Sequence, residues 1–164
     1  MNRELRRAAE KLKKQAPLHA PKAGQQPRKN KPTFVEQMLA YHPIESVLKQ
    51  LASGEIECTR DGTPIHEDIG DGTAYQVTPA MRGWVSTMER IHAHYNHPVD
   101  FTALIRLCNK LDAGMPITQH NLAECIELVA TSKAAYKNMD VYEVKSLVNT
   151  EMIAFEFERL KTTH

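Results

Sequence analysis

Positive and negative charge occupy different parts of this chain, and that separation limits what each part can fold into. Residues 1–33 carry ten lysines and arginines against two acids, a net charge of +8, although the whole chain carries only +1. Residues 34–164 carry eleven basic side chains against eighteen acidic ones, a net charge of −7. A segment with such a density of like charge repels itself and cannot form a hydrophobic core. The sequence therefore predicts a basic N-terminal arm joined to an acidic folded body.

The basic arm divides into a helix-compatible segment and a linker. Across residues 3–15, leucine and alanine recur at helical spacing opposite a basic face. A helix this short is marginal alone in water, so we expect it to form only against a partner. Residues 16–32 contain four prolines and little apolar bulk, which is typical of an extended linker. We therefore expect a basic, largely extended arm over 1–32 and an acidic helical domain over 33–164.

The cysteines favour a reducing compartment. Cys58, Cys108 and Cys125 are widely spaced and include no Cys-x-x-Cys pair, so a disulfide framework is not expected and the cytoplasm is the simplest location. Cys108 and Cys125 lie on apolar stripes and are expected to be small core residues. No apolar run approaches the roughly eighteen residues that span a bilayer, and neither a membrane partner nor a secretory signal is expected.

Helix-capping signals recur along the body, each followed by apolar residues at helical spacing. Thr33 and Asp140 each stand three positions before a glutamate, which is the spacing of a capping box. The other predicted caps are Asp100, Thr118 and Thr78, the last with proline at the first helical position. The residues expected on the core stripes are Met81, Trp84, Val85, Met88, Ile91, Tyr95, Phe101, Leu104, Ile105, Cys108, Leu111, Leu122, Cys125, Ile126, Val129, Val144, Leu147, Val148 and Met152.

Two places in these helices are less regular. His42-Pro43 is expected to break or kink the first helix, because proline removes a backbone donor and clashes with the preceding turn. A second stretch, Ile44–Leu51, then resumes with its apolar residues on the same face as those of the first and is closed by Gly54. Near the C-terminus the final helix is expected to continue, although apolar residues alternate over 152–158 and leave a strand as the alternative.

Residues 55–77 change in character and predict β-structure. An alternating segment, a tight-turn dipeptide at Asp61-Gly62 and a returning segment are typical of a hairpin, and a second Asp-Gly pair precedes a possible third strand. The short connections between the helices favour antiparallel neighbours. The predicted fold is therefore mainly α: a compact bundle of about five helices with a small β-hairpin insertion at about 55–77, preceded by the basic arm.

The basic arm is the first candidate for function. Lysine and arginine at helical spacing can neutralise successive phosphates, and basic arms that fold on binding are a recurrent way to bind RNA or to enter DNA grooves. The arm has no aromatic residue, so base stacking is not expected. The alternatives are docking on an acidic protein and a solubilising tail. The predicted nucleic-acid-binding residues are Arg3, Arg6, Arg7, Lys11, Lys13, Lys14, Arg28, Lys29 and Lys31.

The body contains a histidine cluster and a carboxylate cluster with potential metal ligands, but the spacing of neither fits a metal site. His92 and His94 lie about 200° apart on a helix and cannot both face one ion that His97 also binds. Histidines at a helix C-terminus are favoured by the helix dipole alone. The acidic residues of 55–71 are interrupted by glycine where calcium ligands would be needed, and we expect them to be solvated turn residues. No metal or cofactor is predicted.

The chain lacks the common catalytic signatures. It contains no Gly-x-Ser-x-Gly elbow and no glycine-rich phosphate loop, so no catalytic residue and no enzymatic activity are predicted. A helix-turn-helix over 101–130 is disfavoured, because its recognition helix would carry Glu124 and Glu127 without any basic residue before Lys133.

The charge separation without a catalytic motif points to an interaction protein. The leading interpretation is a small accessory or regulatory protein of the kind that phages and mobile elements encode. Its arm would bind nucleic acid, with RNA slightly favoured, and its helical body would bind a protein. One alternative is a structural or interaction subunit, such as a virion component or an inhibitor of a host factor, whose arm docks on a neighbouring protein. The other is a metal-dependent enzyme that uses the histidine or carboxylate cluster.

Overall fold

The computed structural model confirms a mainly helical body with a small antiparallel sheet. It describes residues 30–67 and 73–162, without the side chains of residue 151 and of 153–162. Within these ranges the helices and strands, in chain order, are α1 (Phe34–Ser53), β1 (Glu57–Cys58), β2 (Pro64–Glu67), β3 (Ala74–Gln76), α2 (Val77–His94), α3 (Thr102–Asp112), α4 (Gln119–Tyr136) and α5 (Val141–Thr162).

Helix α1 begins at the predicted capping box and ends at the predicted glycine. The backbone N–H of Glu36 donates to Thr33 Oγ1 at 3.2 Å, and the N–H of Thr33 donates to Glu36 Oε2 at 2.9 Å. Two N–H groups that have no partner inside the helix are thereby satisfied. Gly54 follows the last turn with φ of 73°, a left-handed conformation that glycine adopts without a steric penalty.

Pro43 lies inside α1 and does not break it. The expected break at His42-Pro43 is wrong, because α1 is one helix of 20 residues through this point, and the alternative of a kink stays a prediction. Proline cannot donate to the carbonyl of Leu39, so one bond of the helical ladder is lost. Leu39 and Pro43 are both exposed, and water can solvate the freed carbonyl there.

The insertion forms a three-stranded antiparallel meander in the order β1-β2-β3. Glu57 pairs with Ile65 across the first turn, where Gly62 has φ of 84° as a tight turn requires. His66 pairs with Tyr75 between β2 and β3. Alternate residues of β2, Pro64 and His66, are buried, so one face of the sheet packs against the helices.

The start of α2 differs from the expectation. The helix begins at Val77, and its cap residue, Gln76, makes no side-chain hydrogen bond to the first turn. Thr78 is not the cap, because its Oγ1 donates to Asp112 Oδ1 of α3 at 2.6 Å. A threonine that stands at a helix start therefore serves a contact between two helices.

The remaining helices start near their predicted caps. Thr118 Oγ1 accepts the N–H of Asn121 at 3.2 Å, and Asp140 Oδ1 accepts the N–H of Tyr142 at 2.9 Å. Asp100 Oδ1 accepts the N–H of Thr102 at 2.9 Å at the beginning of α3. Helix α5 continues to Thr162, so the predicted helix over 152–158 is confirmed and the strand alternative is wrong.

The core lies where the inner faces of the helices meet. Most of the predicted core stripe is buried or half-buried, including both Cys108 and Cys125. Ile126 and Met152 are exceptions, with 49% and 63% of their surfaces exposed. The largest of the completely or almost completely buried side chains are Tyr41, Leu48, Val77, Met81, Val85, Ile91, His92, Phe101, Leu104, Leu107, Cys108 and Val129.

Candidate interaction surface

The predicted nucleic-acid-binding residues belong mostly to the part of the chain outside the described residues. Lys31 is exposed, and its Nζ lies 3.5 Å from Asn138 Oδ1. Of the predicted nucleic-acid-binding residues, the structure therefore describes only Lys31, where the arm joins the body. The predicted residues outside the described ranges are Arg3, Arg6, Arg7, Lys11, Lys13, Lys14, Arg28 and Lys29.

The junction between arm and body is fixed at residue 30. The N–H of Asn30 donates to Asp140 Oδ2 at 3.0 Å, and its carbonyl accepts the N–H of Val141 at 2.9 Å. The arm is thus hydrogen-bonded to the first turn of α5. Pro32 is buried, and its carbonyl accepts from Gln37 Nε2 at 2.9 Å. Residues 30–33, which follow most of the basic segment in sequence, are therefore held against the body.

Large apolar side chains cover the outer surface of the first two turns of α1, directly after this junction. Phe34, Val35, Met38 and Leu39 expose 74%, 62%, 40% and 73% of their surfaces. At about 100° per residue these four positions share one side of the helix. We call them the α1 apolar face. The expectation that they share a face with Val47 and Leu48 is wrong, because those two residues are buried on the opposite side.

The charge beside the α1 apolar face is compensated. Lys145 of α5 donates to Glu36 Oε1 at 2.8 Å. The ammonium group of Lys145, together with the backbone N–H of Thr33, lowers the pKa of Glu36 to about 2. The carboxylate therefore stays ionised and paired over the physiological range. An incoming apolar surface would meet no uncompensated charge from this glutamate.

The other exposed large apolar residues of the described chain are dispersed. Tyr75, Met115, Ile126, Tyr142 and Met152 come from one strand, two helices and one loop. Single exposed apolar residues are normal on protein surfaces, whereas contiguous patches mark interaction sites. The α1 apolar face stands out because four such residues fall within six positions of one helix.

A buried chain of polar groups lies on the inner side of α1. Tyr41 Oη is 2.8 Å from Ser132 Oγ, which is 2.8 Å from His92 Nε2, and all three residues are fully buried. A serine next to a histidine resembles a nucleophile with its base. All three groups are buried where a substrate cannot reach them. Their hydrogen bonds connect α1, α4 and α2. Sequence reasoning did not identify Ser132, although it stands three residues after Val129 on the buried stripe of α4.

Burial has a clear effect on His92. The apolar surroundings, and secondly the neighbouring His97, lower the pKa of the His92 imidazole below its usual 6.5. Its Nδ1 has no hydrogen-bond partner within the described part of the chain. His92 is thus a neutral core residue. The interpretation of this histidine as a dipole-compatible residue at a helix end is incomplete, because its Nε2 is fixed by Ser132.

The described histidines and carboxylates of the body do not converge on a metal site. Within residues 30–67 and 73–162, no three metal-ligating side chains are grouped. His94 approaches Glu143 Oε2 at 3.7 Å on the surface, away from Ser132. Asp61 accepts from the hydroxyls of Thr59 and Thr63, which lowers its pKa and assigns it to the turn. Asp68 and Asp71 lie outside the described residues.

Comparison with protein-family models, curated proteins and solved structures found no match for this chain. Its function has to be inferred from its own residues. None of the helices in the described ranges has both the length and the apolarity that a bilayer crossing requires.

Proposed function

We propose that this chain is a small accessory or regulatory protein, of the kind that phages and mobile elements encode, which binds a protein through the α1 apolar face and nucleic acid through its basic arm. RNA is slightly favoured over DNA. The proposal assigns no catalytic step. The observation that carries it is the position of the α1 apolar face immediately after residue 30, where the arm is hydrogen-bonded to the body.

The chemistry of the α1 apolar face defines its partner. Four apolar side chains on two turns of one helix fit a hydrophobic groove on another protein, which is the helix-in-groove mode of recognition. Covering them removes apolar area from water, the main favourable term in most protein associations. The pairing of Glu36 with Lys145 means that this glutamate is not left as an unpaired buried charge.

The arm supplies a second contact from the same edge. Asn30 is held against α5 and lies only four residues before Phe34, so the basic segment and the α1 apolar face are adjacent in sequence. A partner that is itself bound to nucleic acid can therefore be engaged by both sites at once, and linked sites raise the effective concentration of the second contact. The three cysteines are free thiols, which supports the proposed cytoplasmic location.

The nucleic-acid contact is tested by moving the same loss of charge between arm and body. One variant changes four arm residues to glutamine and its matched control changes four exposed residues of the body. We expect only the arm variant to bind single-stranded RNA more weakly, with a slope of log K against log salt smaller by about 0.7 for each lost phosphate contact. Unchanged binding by the arm variant at low salt contradicts the proposal. The substituted residues are Arg3, Arg6, Arg7 and Lys11 in the arm, and Lys49, Arg60, Arg106 and Lys137 in the body.

The protein contact is tested with polar substitutions at two exposed sites. Phe34→Ser with Leu39→Ser alters the α1 apolar face, whereas Met115→Ser with Ile126→Ser alters exposed apolar residues elsewhere. A partner crosslinked by the wild type and the control, but not by the face variant, supports the proposal. A stable oligomer that forms without nucleic acid and dissociates in the face variant favours the structural subunit instead, and light scattering measures it.

A further inference from the structure

An apolar concavity lies beside the second half of α1. It has a volume of about 220 Å³ and lies between α1, the sheet and the start of α2. Ile44 and Met81 form part of an aliphatic wall, and the rings of Tyr75 and Trp84 border the same space. It is a separate feature from the α1 apolar face, since Ile44 is buried whereas Phe34 to Leu39 point outward.

One polar side chain borders this concavity in a fixed orientation. His66 exposes 8% of its surface, and its Nδ1 lies 2.8 Å from Gln50 Oε1. An amide oxygen only accepts hydrogen bonds, so Nδ1 donates in this contact, and in the tautomer with its proton on Nδ1 the ring keeps a lone pair on Nε2. No described residue donates to Nε2. The pocket therefore combines apolar walls with one hydrogen-bond acceptor, as small-molecule sites do.

The volume restricts the size of the occupant. Benzene fills an apolar cavity of about 150 Å³, and sites for drug-sized molecules begin at about 300 Å³. A space of about 220 Å³ lies between the two and suits one substituted ring. Aromatic walls favour an aromatic ring, because edge-to-face and offset contacts add to the gain from burial.

We propose that this pocket binds a small phenol: one aromatic ring between Trp84, Tyr75 and the aliphatic wall, with its hydroxyl donating to Nε2 of His66. This site is independent of the proposed binding of protein and nucleic acid. It gives the body a ligand-binding function on the side of α1 opposite its apolar face.

The pocket carries its own reporter, because Trp84 is the single tryptophan of the chain. The probe is p-cresol, titrated into the full-length protein while tryptophan emission is followed. We expect a saturable change in emission. The matched ligand is 4-methylanisole, which has the same ring without a hydroxyl proton. Loss of one hydrogen bond to a buried acceptor is expected to weaken its binding roughly tenfold.

Two substitutions of equal size separate pocket binding from nonspecific effects. Ala80 is exposed at the rim of the pocket, so Ala80→Leu fills the space without disturbing the core. Ala93 is exposed near the other end of the same helix, and Ala93→Leu is the control. We expect Ala80→Leu to reduce p-cresol affinity at least tenfold and Ala93→Leu to leave it unchanged. His66→Leu is expected to abolish the preference for p-cresol over its ether.

The outcomes are distinct. No saturable change up to the solubility limit of p-cresol, or equal affinity in the Ala80→Leu variant and the wild type, overturns the proposal. Equal binding of p-cresol and 4-methylanisole removes the assigned role of His66 and likewise overturns it. N-acetyltyrosinamide identifies the source of the phenol: binding as tight as that of p-cresol points to a tyrosine side chain, and weaker binding to a free small molecule. Because the pocket is independent of the other two sites, we expect neither result to change the binding of RNA or protein measured with the arm variant and the face variant.

Discussion

The two halves of α1 use similar side chains in opposite ways. In the first two turns, Phe34 to Ala40, no residue is buried, and four large apolar side chains face outward. In the following turns, Tyr41, Ile44, Val47 and Leu48 face inward and expose between 0% and 7% of their surfaces. Apolar character alone therefore does not tell which side of a helix meets the body. Large apolar side chains on the outer surface of a helix are best explained by a second surface that covers them.

Different interactions hold the two halves in place. The second half is held by packing against α4 and α2 and by the hydrogen bond between the hydroxyls of Tyr41 and Ser132. The first half is held by polar contacts at its start, namely the capping box and the ion pair between Glu36 and Lys145. The first half should therefore respond to charge and pH, and the second to loss of volume.

The sharpest contrast between the halves is expected from one leucine in each. Leu48→Ala removes a side chain that is 1% exposed and should lower the free energy of unfolding by about 2–5 kcal/mol, because it loses burial and leaves a cavity. Leu39→Ala removes one that is 73% exposed and should change it by no more than about 0.5 kcal/mol. Urea denaturation of both variants measures the difference. Similar losses at both sites would show that the first half also contributes to the core.

The next largest effect is expected at the hydrogen bonds of Tyr41, where α1 turns inward. Ser132→Ala leaves the Tyr41 hydroxyl and His92 Nε2 without their shared partner. We expect a loss of about 2–3 kcal/mol, since an unsatisfied buried polar group costs about 1–3 kcal/mol. The control is Thr131→Ala, because Thr131 is exposed and bonds only to Glu127 in its own helix. Equal stability of the two variants would mean that the buried chain of polar groups contributes nothing.

The extent to which sequence predicted these features depends on how local they are. The caps at Thr33, Thr118 and Asp140 were predictable, because each depends on residues no more than three positions away. Thr78 was assigned wrongly as a cap, since its partner Asp112 lies 34 positions further along. The contact of Ser132 with Tyr41 spans 91 positions, and no spacing rule predicts it.

The candidate site shows the same limit. The sequence placed a basic arm at the N-terminus, but the face beside it could not be recognised from sequence. Apolar residues at helical spacing are assigned to the core by default, and α1 has such residues on two sides. Only the packing of α1 on α4 and α2 decides which side is covered. Pro43, which predicts a break by the local rule, is tolerated inside α1 at an exposed position.

The pH dependence of stability should distinguish the buried His92, at the end of the polar chain, from an exposed histidine. The pKa of His92 in the folded protein lies below its usual 6.5, so the unfolded chain binds the proton more tightly. The resulting stabilisation is complete above about pH 6.5 and is lost as pH falls through the folded pKa. We expect His92→Gln to flatten the rise of unfolding free energy with pH in the range below about pH 6.5. His120→Gln, at an exposed position, should keep the wild-type slope. An unchanged slope in the His92 variant would contradict the assignment.

The smallest effect is expected at the polar contacts of the first half of α1, and it should appear as a local change. The pKa of Glu36 is about 2 in the folded protein, against the usual 4.5, because it is bonded to Lys145 and Thr33. Its contribution is therefore present above about pH 4.5 and is lost as pH falls toward 2. Lys145→Met should raise that pKa, which an NMR titration of the carboxyl carbon measures. As Glu36 becomes protonated, amide exchange should accelerate at Gln37 and Met38 while Leu48 stays protected, because only the first half depends on this carboxylate. If both halves lose protection together, α1 opens as a single unit.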